Sequence, residues 1–285
     1  MRRLFLIGLV GIVGTLGAEG DVKERIAGYH TALEMAHGAE ESLVHYQLAM
    51  AYLEDQELDR AFLHFLKALE KVEREAAPPM SVEEKKLYEE ALGLYLAQSG
   101  QNPLEMGHQL LEKYEGVTSK HSEYLYLNFL LSAAYANMER FEEFFKCFYA
   151  AFPKMHDLFL ADKISGILYL RIAKREADRE LAKTYREKAI SSLSEALEKN
   201  PEDPGLYKTL LFLAKDEKNT PLVRTYLEKI VAHRVPIARG DLSFYVQEAV
   251  ALGEKGLGQS ILDQARLRYD YSRAIERTQQ YLEKS

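Results

Sequence analysis

The chain holds one cysteine and no tryptophan in 285 residues. With Cys147 alone, no intramolecular disulfide can form, so order must come from side-chain packing. No cysteine lies near the N-terminus to carry a lipid. Dense Lys/Arg runs are also missing: 37 basic residues stand against 44 acidic ones, a formal net charge of -7. That balance argues against a general nucleic-acid binder, which needs a basic face to neutralise phosphates; a local basic patch stays open, but no Lys/Arg run suggests one. There is no Gly-rich phosphate loop beyond the first eighteen residues and no Gly-x-Ser-x-Gly elbow. The histidines at 30, 37, 45, 64, 108, 121, 156 and 233 include no His-Glu-x-x-His and no i, i+4 pair for zinc. No cofactor, metal or catalytic residue is therefore expected. Carboxylates are plentiful, but they fall on polar helix faces beside Lys and Arg, as in Glu195, Glu198 and Lys199. Alternating strand patterns are absent after Asp21.

One long apolar run is present, and it lies at the start. Arg2 and Arg3 precede an apolar stretch from Leu4 to Gly14, and Thr15-Leu16-Gly17-Ala18 supplies small residues. This three-part order reads as a secretory signal peptide over 1–18, cleaved after Ala18. At about 15 apolar or small residues the run is shorter than the ~20 that a spanning helix needs. The expectation is an exported protein, periplasmic or secreted, with no stable membrane span after processing; an uncleaved N-terminal anchor is the alternative.

From residue 19 to 285, helix-period apolar spacing predicts an all-α domain of about thirteen helices joined by short loops. Three starts share one signal, a capping residue followed by proline at the first helical position: Asn102-Pro103, Asp203-Pro204 and Thr220-Pro221. Ser81 with Glu84 predicts a capping box after Pro78-Pro79. Gly100, Gly240 and Gly256 mark helix ends, and 257–283 reads as one long C-terminal helix. Aromatics concentrate at Tyr124, Tyr126, Phe129, Tyr135, Phe141, Phe144, Phe145, Phe148, Tyr149 and Phe152, where they are expected to fill the core between stacked helices.

The helices repeat in pairs. In 42–75, Leu48, Ala49 and Tyr52 are followed by Ala61, Phe65, Ala68 and Leu69. Ala61 and Ala68 lie two turns apart on one helix face, where small side chains let a partner helix approach. In 189–234, Ala189, Leu193, Ala196, Leu197 and Pro201 lead into Tyr207, Leu210, Ala214, Val223, Leu227 and Ile230. A weaker unit runs from Leu131, Ser132 and Tyr135 to Phe144, Phe148 and Ala151, and degenerate pairs at 81–115 and 241–283 complete the array, with helix 22–37 as a cap at its start. The second-helix small positions are equated as Ala61, Gly107, Phe144, Ala189, Val223 and Ser260. The pattern resembles the tetratricopeptide (TPR) superfamily.

That resemblance implies a right-handed superhelical solenoid of antiparallel helix pairs and a non-catalytic scaffold or adaptor that binds a protein or peptide segment. In such proteins the groove is lined by first-helix residues between the packing positions. Carried over, these are Tyr46, Met50 and Leu53; Phe129, Ala133 and Asn137; and Lys208, Phe212 and Lys215. Tyr46, Met50 and Leu53 stand where carboxylate-clamping relatives have Lys and Asn, so an apolar strip is the expected ligand feature. Two other readings stay open: a helical enzyme acting on envelope polysaccharide, and a cytoplasmic secretion chaperone if the N-terminus is not a signal. The oligomeric state is not legible.

Overall fold

A computed structural model of the chain describes residues 21–98, 102–268 and 273–284. The signal-peptide reading over 1–18 and the helix end at Gly100 lie outside them. Among the described residues there are fourteen helices and no strand. They are α1 Val22–Leu33, α2 Ala39–Glu54, α3 Leu58–Lys71, α4 Val82–Gln98, α5 Pro103–Thr118, α6 Leu125–Asn137, α7 Phe141–Met155, α8 Phe159–Arg175, α9 Arg179–Lys199, α10 Pro204–Asp216, α11 Thr220–Ala232, α12 Leu242–Ala251, α13 Lys255–Arg268 and α14 Arg273–Lys284. None among the described residues is long and apolar enough to cross a membrane.

The caps follow the sequence closely. Asn102 accepts from the Glu105 N–H at 3.3 Å, and Asp203 accepts from Gly205 and Leu206 at 2.9 and 3.2 Å. At the third Pro-marked start the cap is Asn219, one residue before the expected Thr220, accepting from Leu222 at 3.1 Å. The expected box at Ser81 is half made. Its hydroxyl accepts from Glu84 N–H at 3.1 Å, but the Glu84 carboxylate turns away to accept from Tyr126 N–H at 2.8 Å. Four pairs, α2–α3, α6–α7, α10–α11 and α12–α13, close through one turn type. A residue with positive φ (Gln56, Glu139, Lys218, Gly253) is followed by an N–H that bonds back to Tyr52, Tyr135, Ala214 and Ala249 respectively. This is the left-handed helix stop with its 6→1 bond, and three of the four sites carry side chains where glycine is the easier residue.

The pairs stack into an all-helical solenoid, but not in chain order. A solenoid in chain order packs each unit on its sequence neighbours. Here α3 lies against α7 and α8 rather than along α4, and α2 lies against α7, while α4 joins α5 and α6. The α2–α3 pair is inserted between α6–α7 and α8–α9; α10–α11 and α12–α13 then follow in order. The contacts are aromatic. Phe65 stacks on Phe145 with centroids 4.0 Å apart, Phe62 meets Phe141 and Phe145 edge-on at 5.0 and 5.4 Å, and Tyr46 stacks on Tyr149 at 4.2 Å. Ser42 adds polar pins, donating to the Ala68 carbonyl at 2.8 Å and sharing a hydrogen bond with the Tyr149 hydroxyl at 2.9 Å. On the other side, Glu70 of α3 accepts from Tyr169 and Lys188 at 2.5 and 2.7 Å, and Asp59 pairs with Arg175.

The insertion needs a long connector, and 72–81 supplies it. Extended, ten residues reach ~33 Å, against ~10 Å per helix layer, so the segment can pass over α6–α7 to α4. It does so with contacts: Glu75 N–H donates to the Pro153 carbonyl at 2.8 Å, and the Tyr126 hydroxyl donates to the Pro78 carbonyl at 3.0 Å.

The C-terminal helix expected over 257–283 is two helices, α13 and α14. In one straight helix residues 258 and 282 would be ~36 Å apart, yet a Cβ on Gly258 would lie 3.1 Å from Leu282. Ile275, Thr278 and Leu282 give α14 its own buried stripe, and it folds back to cover α12 and α13. The small residue at that crossing is Gly258; Ser260, the position equated from sequence with Ala61 and Ala189, is exposed.

Two outcomes test this packing. A Cβ at Gly166 would lie 2.6 Å from Leu193 Cγ and 3.2 Å from the Ala189 carbonyl, so α8 and α9 touch there without room for a methyl. Gly166→Ala should cost about 1–3 kcal/mol through overpacking, outweighing the ~1 kcal/mol that alanine gains in a helix. Gly93→Ala, with nothing within 4 Å, should instead gain that ~1 kcal/mol; urea denaturation reads both. The second concerns the buried His45 and His64, whose Nδ1 atoms are joined by a hydrogen bond of 3.0 Å between α2 and α3. Burial pushes them down to about 4 and about 3, so the fold holds both neutral. The unfolded chain takes up those protons below about pH 6.5. Stability should be intact above that value and fall with acidification, and His45→Leu with His64→Phe should flatten the loss.

Candidate functional site

The residues singled out from sequence do not form one groove. Phe129 is fully buried and stacks on Phe148 at 4.9 Å, so it is core and cannot touch a partner. Its helix α6 is packed on three sides, by α4, α5 and α7. Tyr46 is spent on Tyr149, and Met50 and Leu53 line a separate hollow of about 380 Å³ with Arg25, Tyr29 and Glu142, because α1 and α7 both approach α2 there. Asn137 and Ala133 from α6 do reach a central cavity. Lys208, Phe212 and Lys215 share one face of α10 turned to α12. Lys208 pairs with Asp241 at 2.7 Å, Lys215 pairs with Glu248, and Phe212 stacks on Phe244 at 4.8 Å while remaining 46% exposed.

The central cavity, about 260 Å³, is where non-neighbouring helices meet. Phe62 of α3, Tyr95 of α4, Ala133, Ala136 and Asn137 of α6, Phe141 and Phe144 of α7, and Gly205 and Thr209 of α10 supply its walls. Helix α8 runs through it and presents Lys163, Ile167 and Arg171 at i, i+4 and i+8, one face of a helix. Sequence reasoning missed these three. The signal was available: helix 158–175 directly precedes the best second-helix match at Ala189–Leu197, so it is the first helix of that pair, and its groove positions belong in the candidate set.

The two cations of α8 differ. Lys163 is buried and donates to Asp203 Oδ2 at 2.6 Å, with its ammonium 4.9 Å from the Tyr95 ring centre. Burial alone would push Lys163 down, but Tyr95 and Asp203 hold it above its ordinary value. Asp203 is itself fully buried, and its other oxygen caps α10. One carboxylate thus satisfies a cation of α8 and two backbone donors of α10, tying the pairs together. Arg171 has no such partner. Its guanidinium carbon lies 4.1 Å from the Phe62 ring centre and 5.3 Å from that of Phe141. Its Nε is buried without a hydrogen bond, and among the described residues no carboxylate lies within ion-pair distance. Burial and the neighbouring Arg175 lower its value, but an arginine stays charged.

From the cavity rim an apolar strip continues outward. Ile167 is 49% exposed at the rim, Thr209 lies on the next helix, and Phe212 and Phe244 follow. Elsewhere, burial pushes up the half-buried Cys147 thiol on α7.

Lys163→Met should strand the buried Asp203 carboxylate and cost about 3–5 kcal/mol, the scale for halving a buried pair. Adding Asp203→Asn should recover most of that loss, since asparagine caps a helix as well; thermal denaturation of the two variants reads the difference.

No protein-family model and no curated protein matches this chain. Among solved structures, a chain described as an assembly chaperone of RpL4 (Acl4) is similar over 96% of this chain and 94% of its own, at 17% identity. The TM-score is 0.33, a superposition too loose to carry a statement about fold or function.

Proposed function

We propose that this chain is a non-catalytic scaffold or adaptor of TPR-like type that holds a segment of another protein along the face formed by α8, α10 and α12. The observation that carries this reading is the strip Ile167, Phe212 and Phe244, in which Ile167 and Phe212 stand open beside a cavity and Phe244 stacks on Phe212. An open apolar strip rimmed by ion pairs is the surface that a partner segment dries out on docking. The flanking pairs Lys208–Asp241 and Lys215–Glu248 hold the two helices at fixed spacing. The polysaccharide-enzyme reading finds less support, because no carboxylate is among the cavity's lining residues to act as acid or base. The setting proposed is exported, on the basic, apolar and small-residue order of residues 1–18 alone.

Site-specific photocrosslinking in native extract tests the reading. A photoreactive residue at Ile167 or Phe212 should capture one common partner, and one at Met50 should not. Phe212→Glu should lower recovery at Ile167 by at least about tenfold, the scale of a hot-spot aromatic. Equal capture from all three positions, or recovery indifferent to Phe212→Glu, would remove this face as the binding surface.

A further inference from the structure

The cavity says what kind of segment the face would accept. Its lining is aromatic and aliphatic, which suits one apolar side chain, and it carries two cations. Lys163 is neutralised by Asp203, so it offers no charge to a ligand. Arg171 is neutralised by nothing in direct contact: Asp59 and Glu139 act on it only through space, and Asp59 is engaged by Arg175. The guanidinium seated on Phe62 and Phe141 finds no acceptor among the described residues: its Nε is buried without one, and the rest of the half-buried group is open to an incoming carboxylate. Water meets the remainder of the group, which is half-buried. The charge of the chain as a whole, -7, does not favour an acidic ligand, so recognition would be local, set by this one side chain.

Resting on the scaffold reading above, we infer that the cavity recognises an apolar–acidic couplet in an extended partner segment. An aliphatic or aromatic side chain fills the space between α4, α6 and α8, and a neighbouring Asp or Glu pairs with Arg171. The planar fork of arginine matches a carboxylate bidentately, and the Phe62 and Phe141 rings, set edge-on to one another beside it, hold the group at the cavity. Apolar residues past the couplet would run over Ile167 toward Phe212. The geometry thus assigns specificity to Arg171 and bulk affinity to the strip, two separable contributions.

Selection of random linear peptides displayed on phage against the full chain tests this, with Arg171→Gln selected in parallel and both proteins checked for equal thermal stability. Wild type should enrich an acidic residue at fixed spacing from an aliphatic or aromatic one. Arg171→Gln should keep the apolar preference and lose the acidic one. For a selected peptide, Arg171→Gln should weaken binding about tenfold or more, the size of a charge-assisted hydrogen bond, and changing the peptide's acid to its amide should cost little further in that variant. If wild type selects apolar peptides without an acid, or Arg171→Gln selects the same sequences, the couplet is wrong and the binding face stands. If wild type selects no peptide at all, both the couplet and the face are overturned.

Discussion

The seam between α3 and α7 is the contact on which the remaining architecture depends. Phe62 and Phe65 from one helix interleave with Phe141, Phe144, Phe145 and Phe148 from the other, all but Phe141 buried to within 1% of full burial. Rings of this size bury most of the apolar area that a helix pair can offer, and their offset and edge-on geometry adds attraction beyond area alone. Holding that seam places the N-terminal pair in the middle of the stack, sends 72–81 across α6–α7, and leaves α8 to pack on α3 instead of on α7. Beside that seam the Ser42–Tyr149 bond pins α2 to α7, and on the other face of the inserted pair the Glu70–Tyr169 bond pins α3 to α8.

The central cavity is a consequence of that insertion. Moving a pair out of chain order brings helices together whose surfaces have no sequential partner, and the tips of α4, α6 and α7 face the middle of α8 with space left between them. The insertion also creates the electrostatic asymmetry there. Asp203 can reach one cation across the α8–α10 interface, and it takes Lys163, whose burial demands a counter-charge. Arg171, two turns on, is left with aromatic faces and no acceptor. Stability and recognition thus divide between two residues of the same helix face.

Much of the fold was legible because its signals are local. Asn102 and Asp203 announce helix starts by chemistry that acts within three residues, and Ala61 and Ala189 mark close helix approach wherever the partner comes from. What local pattern does not encode is the identity of the partner. Phe62 and Phe65 declare a buried face equally well for α4 or α7, and an expectation of chain order assigns them to the wrong neighbour. The physical hint was the connector at 72–81, bearing Pro78 and Pro79 and the longest between consecutive described helices, which is costly unless it spans something. The same blindness put Phe129 on an open face. Phe129 occupies a groove position by offset, but α6 is enclosed by the very stacking that offset counting ignores. Turns at Gln56, Glu139 and Lys218 were equally hidden, because the left-handed stop usually advertises itself with glycine.

Insertion of α2–α3 is tested most directly by an intrachain crosslink. In a Cys147→Ser background, Asp59→Cys on α3 and Arg175→Cys on α8 replace a pair whose side chains are in contact. A short bismaleimide should join them in dilute protein, and Asp59→Cys paired with Glu90→Cys on α4 should stay unjoined. The reverse result, with α3 linked to α4 and not to α8, would mean that the pairs stack in chain order and that the cavity built on their displacement does not exist.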